Sequence, residues 1–151
     1  MAIATQINSP VEYMKSTVVL SSANIKAMYA TPVVIIPAKG PHTIIVLHDV
    51  FYEFVYTAPV YTGGDGNGAF LLQYGNTIHG GGVNLAQYAP SLLTNTQNVV
   101  NQSQEINLNL SGSISGMINT AIYASNTVAA YAAGNGLVNM TLFYSVINTI
   151  T

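Results

Sequence analysis

The sequence predicts an all-β fold, an antiparallel β-sandwich arranged as a jelly roll or as another Greek-key fold. Short runs rich in β-branched and aromatic residues alternate with turns rich in Gly and Pro. No stretch supplies the crossover helices of about a dozen residues that a parallel sheet requires. The 151 residues suffice for one domain with a hydrophobic core. We expect an N-terminal arm over residues 1–16 and a single jelly-roll-like sandwich over residues 17–151.

The first elements are short. Residues 17–20 are predicted to form a strand. One short helical turn is predicted near residues 22–29, with a Ser cap at its start. Pro32 stops this turn, because the residue before a proline avoids helical geometry. A second strand follows at residues 33–36.

The strongest strand prediction covers residues 43–56, a run without Gly or Pro. Alternation places six apolar side chains on one face, which we interpret as the core face: Ile44, Val46, Val50, Tyr52, Phe54 and Tyr56. The opposite face carries both carboxylates of the run and four apolar side chains: Ile45, Leu47, Phe51 and Val55. Because strands usually run about 3–10 residues, we expect a bulge or bend near His48.

The rest of the chain continues as strands and turns. Alternating or β-branched runs predict four further strands, at residues 69–74, 105–110, 119–125 and 137–147. The last of these has an unbroken apolar face. A tight turn is expected at residues 134–136. Residues 83–93 fit either a short strand or a helical turn, and the polar residues 95–104 stay unassigned.

Composition excludes several classes of function. Charged residues make up 5% of the chain, against an average of about 25%. A chain without Arg and with three Lys cannot neutralise several phosphates, so no nucleic-acid partner is expected. No apolar run approaches about 18 residues, so no membrane span is expected either. The absence of Cys excludes disulfides and thiolate metal sites.

Two Gly-rich strings resemble chemical motifs without their structural context. Residues 64–69 fit the dinucleotide pattern G-x-G-x-x-A, but a β-like run follows where that motif needs a helix. Residues 79–82 copy an esterase oxyanion loop, yet the chain has no G-x-S-x-G nucleophile elbow. Both strings are interpreted as hairpin loops.

The ionisable residues are dispersed. His42 and His48 would lie about 20 Å apart along a strand, too far to share a metal ion. Asp49 and Glu53 would lie about 13 Å apart, beyond the spacing of a glycosidase pair. Asp65 alone is too little for a hard-cation site. No metal, no cofactor and no catalytic residue is predicted, so the chain is not expected to be an enzyme.

Three stretches carry a resemblance to a known group of proteins: residues 20–40, residues 61–64 with 70–75, and residues 125–126 with 134–144. They resemble small virion proteins of tailed bacteriophages that decorate or cement the capsid. The resemblance covers most of residues 17–147, while residues 83–118 match nothing in that group. It implies a trimeric jelly-roll protein, made in the host cytoplasm and bound to the major capsid protein on the outer surface of the virion.

The residues agree with such a structural role. A second apolar face on the strand at 43–56 exceeds what one small sandwich needs, so we expect it to contact another subunit. The residues of this predicted subunit interface are Ile45, Leu47, Phe51 and Val55. Tyr13 and Met14, in the irregular segment before the first strand, are the predicted capsid contacts. The alternative is a sugar- or receptor-binding jelly-roll domain of a phage fibre or spike, which the ten Tyr favour.

Overall fold

A computed structural model of the chain describes residues 12–64, 70–88, 92–103 and 114–149. These residues form ten strands and one α-helix, α1 (Ser22–Ala27). The strands are β1 (Met14–Leu20), β2 (Val33–Ile36), β3 (Thr43–Val55), β4 (Thr62–Gly63), β5 (Phe70–Tyr74), β6 (Val83–Tyr88), β7 (Val99–Ser103), β8 (Ile122–Asn126), β9 (Tyr131–Ala133) and β10 (Leu137–Asn148). The predicted all-β sandwich is confirmed.

The strands pair as a nested set of antiparallel partners. The innermost pair is β5 with β6, and around it β3 pairs with β7, β2 with β8, and β1 with β10. Rolling up this ribbon brings β10 beside β3 and β8 beside β5. The result is sheet 1, in the order β1-β10-β3-β7, and sheet 2, in the order β2-β8-β5-β6. Two sheets wound in this way define the jelly roll.

The core lies between the two sheets. Sheet 1 contributes fully buried side chains from its central strands β3 and β10, and the predicted apolar face of β10 is confirmed by Val138, Met140 and Leu142. Sheet 2 contributes Leu72 and Ile122 from the opposite side. Burial of each such side chain stabilises the fold by about 1.5–3 kcal/mol.

A bulge in β3 corrects the predicted face assignment. Phe143 pairs with Asp49 and Tyr144 pairs with Leu47, so His48 is the extra residue in the ladder. The bulge was predicted at this position, but one inserted residue also reverses the alternation beyond it. Ile45 and Leu47, predicted to face a partner subunit, are therefore 1% exposed in the core of the chain.

The same reversal affects the other side of β3. Ile44 and Val46 pair with Ile147 and Ser145 on the outer side of sheet 1, but Ile44 is buried in the hydrophobic core cluster, as predicted, and Val46 packs against that cluster. Beyond the bulge, Val50, Tyr52 and Phe54 are buried as predicted. The outer side of the second half of β3 carries Asp49, Phe51, Glu53 and Val55.

Helix α1 forms where a Ser cap was expected. The Ser21 hydroxyl accepts from the Asn24 backbone N–H at 3.2 Å, and the Asn24 side chain accepts from the Ser21 N–H at 3.1 Å. Both bonds satisfy donors that a helix start leaves without partners. Ile25 and Met28 then fix the helix to the core.

One end of the sandwich is closed by aromatic rings packed on glycines. Tyr61 packs against Phe54 and Tyr131, with ring centroids 6.2 and 5.7 Å apart, and its hydroxyl donates to the Gly136 carbonyl. Gly134 lies so close to Tyr61 that an added Cβ would meet the ring at 2.3 Å. The predicted turn at residues 134–136 is shaped by this contact.

Several boundaries differ from the sequence prediction. β1 begins at Met14, so the predicted arm over residues 1–16 overlaps the sheet by three residues. Residues 83–88 form a strand, which resolves the open alternative for part of residues 83–93. β7, β4 and β9 were not predicted; β4 and β9 span only two and three residues and pair with each other. The predicted strand at residues 105–110 lies outside the described residues.

Candidate functional site

The centre of the outer face of sheet 2, over β5, is covered by the chain itself. All five residues of β5 are buried, including those that point away from the core. Gln73, on this outer side, is fully buried and donates to the carbonyls of Gly75 and Thr77 at 2.9 and 2.7 Å. It also accepts from the Gly82 N–H at 3.2 Å. The connection from Gly75 to Gly82 is thereby folded over the sheet.

Further contacts hold this connection in place. The Gly80 N–H donates to the Ser125 hydroxyl at 3.1 Å, and the His79 N–H donates to the Tyr29 carbonyl at 3.0 Å. The rings of His79 and Tyr29 stack with centroids 4.2 Å apart. Residues 79–82 therefore belong to a loop that covers part of the outer face of sheet 2.

The outer face of sheet 1 is open over the second half of β3 and the strands beside it, whereas Ile44 and Ser145, beyond the bulge, are buried. Cross-strand register places its side chains in rows that run from β1 through β10 and β3 to β7. One row consists of Thr17, Thr141, Phe51 and Gln102. The next consists of Val19, Asn139, Glu53 and Val100. We call this open surface, together with Lys15, Asp49, Phe143, Leu137 and Val55, the sheet 1 face.

Large apolar side chains are exposed on the sheet 1 face. Val100 is 72% exposed, Val19 is 55% exposed and Phe51 is 39% exposed. The ring of Phe51 meets that of Phe143 edge to face, with centroids 6.0 Å apart. Exposed apolar groups on neighbouring strands of one face are typical of surfaces that bind a partner.

Both carboxylates of the sheet 1 face are bound by amides. The Gln102 amide donates to Asp49 Oδ2 at 2.6 Å, and the Val50 N–H donates to Asp49 Oδ1 at 2.8 Å. The Asn139 amide donates to Glu53 Oε2 at 2.9 Å. A charge that already has hydrogen-bond partners costs less to cover than a bare one. Both carboxylates therefore have hydrogen-bond partners within the chain.

The predicted site residues are distributed over three places. Phe51 and Val55 lie on the sheet 1 face, whereas Ile45 and Leu47 lie in the core. Met14 is half-buried at the start of β1, opposite Tyr144. Tyr13 precedes it and is 65% exposed.

Tyr13 packs on the bulge of β3. Its ring meets the His48 ring edge to face at 4.9 Å, and His48 Nε2 lies 2.8 Å from the hydroxyl oxygen of the buried Ser145. His48 therefore has a structural contact on each side. The bulge turns the imidazole outward and places it beneath Tyr13.

Sequence reasoning missed much of the sheet 1 face. Alternation along residues 137–147 contained the signal for Phe143 and Asn139, since both fall opposite the apolar face of that strand. Val100 and Gln102 gave no such signal, because their segment is polar and short. Both residues lie on β7, which joins sheet 1 by pairing with β3.

Two kinds of feature are not found within the residues that the structure describes. Within the ranges that the structure describes, no three of His, Asp and Glu come together in a group that would hold a metal ion. In the same part of the chain, no helix is long and apolar enough to cross a membrane.

Fold and surface together define a jelly roll whose sheet 2 is covered over the central strand β5 and whose sheet 1 has an open, partly apolar outer face. The sequence matches no protein-family model and no curated protein. Its fold is similar to that of a chain in a solved structure described as "Cyanophage Pam1 capsid asymmetric unit", with 12% identity and a TM-score of 0.45. The match covers 96% of this chain and 91% of the other. A similarity this distant carries no information about function.

Proposed function

We propose that this chain is a structural protein of a bacteriophage virion, which decorates and stabilises the capsid as a homotrimer and catalyses no reaction. The observation that carries the proposal is the sheet 1 face, open and partly apolar on a chain with 5% charged residues. The sequence resemblance to capsid decoration proteins supports the same role. Jelly rolls serve many functions, so the fold alone does not select this one.

Subunit contacts are assigned to the sheet 1 face. Phe51 and Val55 keep the role predicted from the sequence, now together with Phe143 and Val100. Ile45 and Leu47 support the face from beneath, as core residues of the same strand. Aromatic and apolar centres with satisfied hydrogen bonds around them are common in protein interfaces.

Shell contact is assigned to the end of sheet 1 where β1 begins. Tyr13 is highly exposed there and is oriented by His48. Tyrosine gives a large contact area and one hydroxyl for hydrogen bonding, which suits a contact with the major capsid protein. The chain would then sit on the outer capsid surface, where such contacts bridge neighbouring capsid subunits.

The proposed stabilisation of the capsid follows from the linkage between binding and assembly. A protein that binds the assembled shell, and not its free subunits, makes the shell more stable by mass action. Particles without this chain should release their genome at a lower temperature than complete particles. Adding the purified protein back should restore the release temperature, and Tyr13→Ala protein should restore it less well. Ile78→Ala, at an exposed residue over sheet 2, is the control.

This experiment has a clear negative outcome. Particles with and without the chain that resist heat equally would refute the stabilising role. Equal rescue by the Tyr13→Ala and Ile78→Ala proteins would refute the assigned shell contact and leave the stabilising role intact.

A second candidate function rests on one specific observation. The Phe51–Phe143 pair lies between two carboxylate–amide pairs, Asp49 with Gln102 and Glu53 with Asn139. Aromatic rings beside such polar groups also suit sugar recognition, as in a fibre or spike domain. A glycan array distinguishes the two: specific glycan binding that Phe51→Ala abolishes would favour the fibre or spike domain.

A further inference from the structure

Sheet 1 has two edge strands, β1 and β7; β1 carries Lys15, whereas β7 lacks the usual protection. Among the described residues, β1 pairs only with β10 and β7 pairs only with β3. Exposed strand edges are normally blocked by Lys, Pro or a bulge, because they otherwise pair with another chain. β7 contains none of these devices, and its ladder with β3 has an unbroken register. Its Val100 is the most exposed large apolar side chain described.

The strand directions allow β7 of one copy to pair with β1 of another copy. Each neighbouring pair in sheet 1 is antiparallel, so β1 and β7 run in opposite directions. Rotation about an axis parallel to the strands leaves strand direction unchanged in every copy. β7 of one copy therefore meets β1 of the next in antiparallel orientation, the pairing already used throughout the sheet.

The side chains at the two edges also match. Val19 on β1 and Val100 on β7 are the ends of one row, and Thr17 and Gln102 are the ends of the next. If the sheet continues in register into the next copy, Val100 lies opposite the second copy's Val19. Two β-branched side chains then form a cross-strand pair, and Gln102 lies opposite Thr17.

The width of the sheet sets the number of copies. Four strands at about 4.8 Å spacing span about 19 Å, so three such sheets form a triangle with each sheet about 5.5 Å from the axis. One layer of side chains fills about half of the ~10 Å between stacked sheets, or about 5 Å. Three copies thus leave a space that Phe51 and Phe143 fill. Four copies would leave about 10 Å and a water-filled channel.

We infer that three copies of this chain close a ring by pairing β7 of each copy with β1 of the next, with the three sheet 1 faces turned towards the axis. This inference rests on the proposed homotrimer and specifies its seam. The carboxylates of Asp49 and Glu53 enter the ring with their amide partners, and Lys15 supplies a positive charge on the same face.

Cysteine cross-linking tests the seam, because the native chain has no Cys. A cross-strand pair has its Cβ atoms within about 4.5–5.5 Å, near disulfide distance. The double variant Val19→Cys with Val100→Cys should therefore oxidise to a covalent product of three chains, seen on a non-reducing gel. Each single variant should stay uncross-linked, because the seam joins two different edges.

The matched control replaces Val34 instead of Val19. Val34 is also an exposed valine on an edge strand, but it lies in sheet 2. Val34→Cys with Val100→Cys should give no covalent trimer. Circular dichroism confirms that each variant is folded, as expected for substitutions at exposed sites.

The outcomes separate the seam from the trimer. Disulfide-linked dimers from Val100→Cys alone would show a twofold contact and overturn the inference. A protein that is trimeric by light scattering, but whose double variant does not cross-link, would overturn the seam and leave the homotrimer standing. A protein that is monomeric by light scattering would overturn both the homotrimer and the seam.

Discussion

Gly40 and Gly134 have the same unusual backbone conformation in different surroundings. Their φ angles are +114° and +117°, which L side chains rarely adopt. Nothing lies within 4 Å of a Cβ built on Gly40, whereas one built on Gly134 would meet the Tyr61 ring at 2.3 Å. The pair separates backbone strain from steric overlap at single residues.

We expect Gly134→Ala to destabilise the protein more than Gly40→Ala. Gly40→Ala introduces backbone strain of about 1–3 kcal/mol. Gly134→Ala adds overpacking against Tyr61, about 1–3 kcal/mol more. Urea unfolding of both variants measures the difference. Equal losses would show that Tyr61 moves aside freely and that the aromatic end of the sandwich is loosely packed.

Three buried tyrosines make stability sensitive to alkaline pH. Burial raises the pKa of Tyr61, Tyr74 and Tyr131 to about 12, from 10.0. In the unfolded chain these hydroxyls lose their protons near pH 10, while the folded protein keeps them protonated up to about pH 12. Their stabilising effect is complete below pH 10 and is lost as pH rises through 12.

The free energy of unfolding should therefore fall steeply between pH 10 and 12. Each of these tyrosines contributes a slope of up to about 1.4 kcal/mol per pH unit. Urea titrations at pH 8, 10 and 11.5 measure it, and Tyr61→Phe should make the slope shallower. A free energy of unfolding that stays constant up to pH 11.5 would contradict the burial of these hydroxyls.

At the scale of elements, the bulge in β3 decides which residues form the core. Sequence alternation located it near His48 but carried the same two faces through it, so Ile45 and Leu47 were assigned to the wrong side. A bulge inserts one residue, and the alternation restarts with opposite parity. The sequence shows where a long strand bends, but which side chains face the core beyond the bend depends on pairing with β10.

Deletion of His48 should be tolerated. Without His48, Leu47 and Asp49 become neighbours and keep their pairing with Tyr144 and Phe143, so every other side chain keeps its face. Deletion of Phe51 is the control, because it turns Asp49 towards the core or breaks the ladder. Thermal unfolding should show a small loss for the first variant and a large loss, or no folding, for the second. Equal midpoints would contradict the described register.

The predictability of the other elements follows from length and context. β3 and β10 are long and strongly alternating, and α1 has its cap and Pro32, so all three were predicted from local signals. β4, β7 and β9 are short or polar, and they become strands only through partners distant in sequence. The sheet 1 face could not be predicted as a unit, because its four strands come from four separate parts of the chain.

At the scale of the whole molecule, the two outer faces of the jelly roll differ. Sheet 2 is covered by the connection bound to Gln73, while sheet 1 presents Phe51 and Val100. A chain of low charge has little electrostatic repulsion between its copies. We therefore expect the proposed self-association to use sheet 1.

A charge placed at the centre of the sheet 1 face should dissociate the oligomer. Phe51→Asp would bury an unpaired carboxylate in the proposed contact, which we expect to weaken association by at least about a hundredfold. Val128→Asp, at an exposed valine between β8 and β9, adds the same charge away from that face and should have no effect. Light scattering gives the masses. A Phe51→Asp protein that remains trimeric would exclude this face from the subunit contact.

The location of the chain in the intact virion tests the central claim most directly. A reconstruction of the particle at a resolution that shows β-strands would reveal where the jelly roll lies and in how many copies. We predict trimeric density on the outer shell, with Tyr13 directed at the major capsid protein and hundreds of copies in each particle. Density confined to a tail fibre or spike, or no density on the shell, would contradict a capsid-stabilising role.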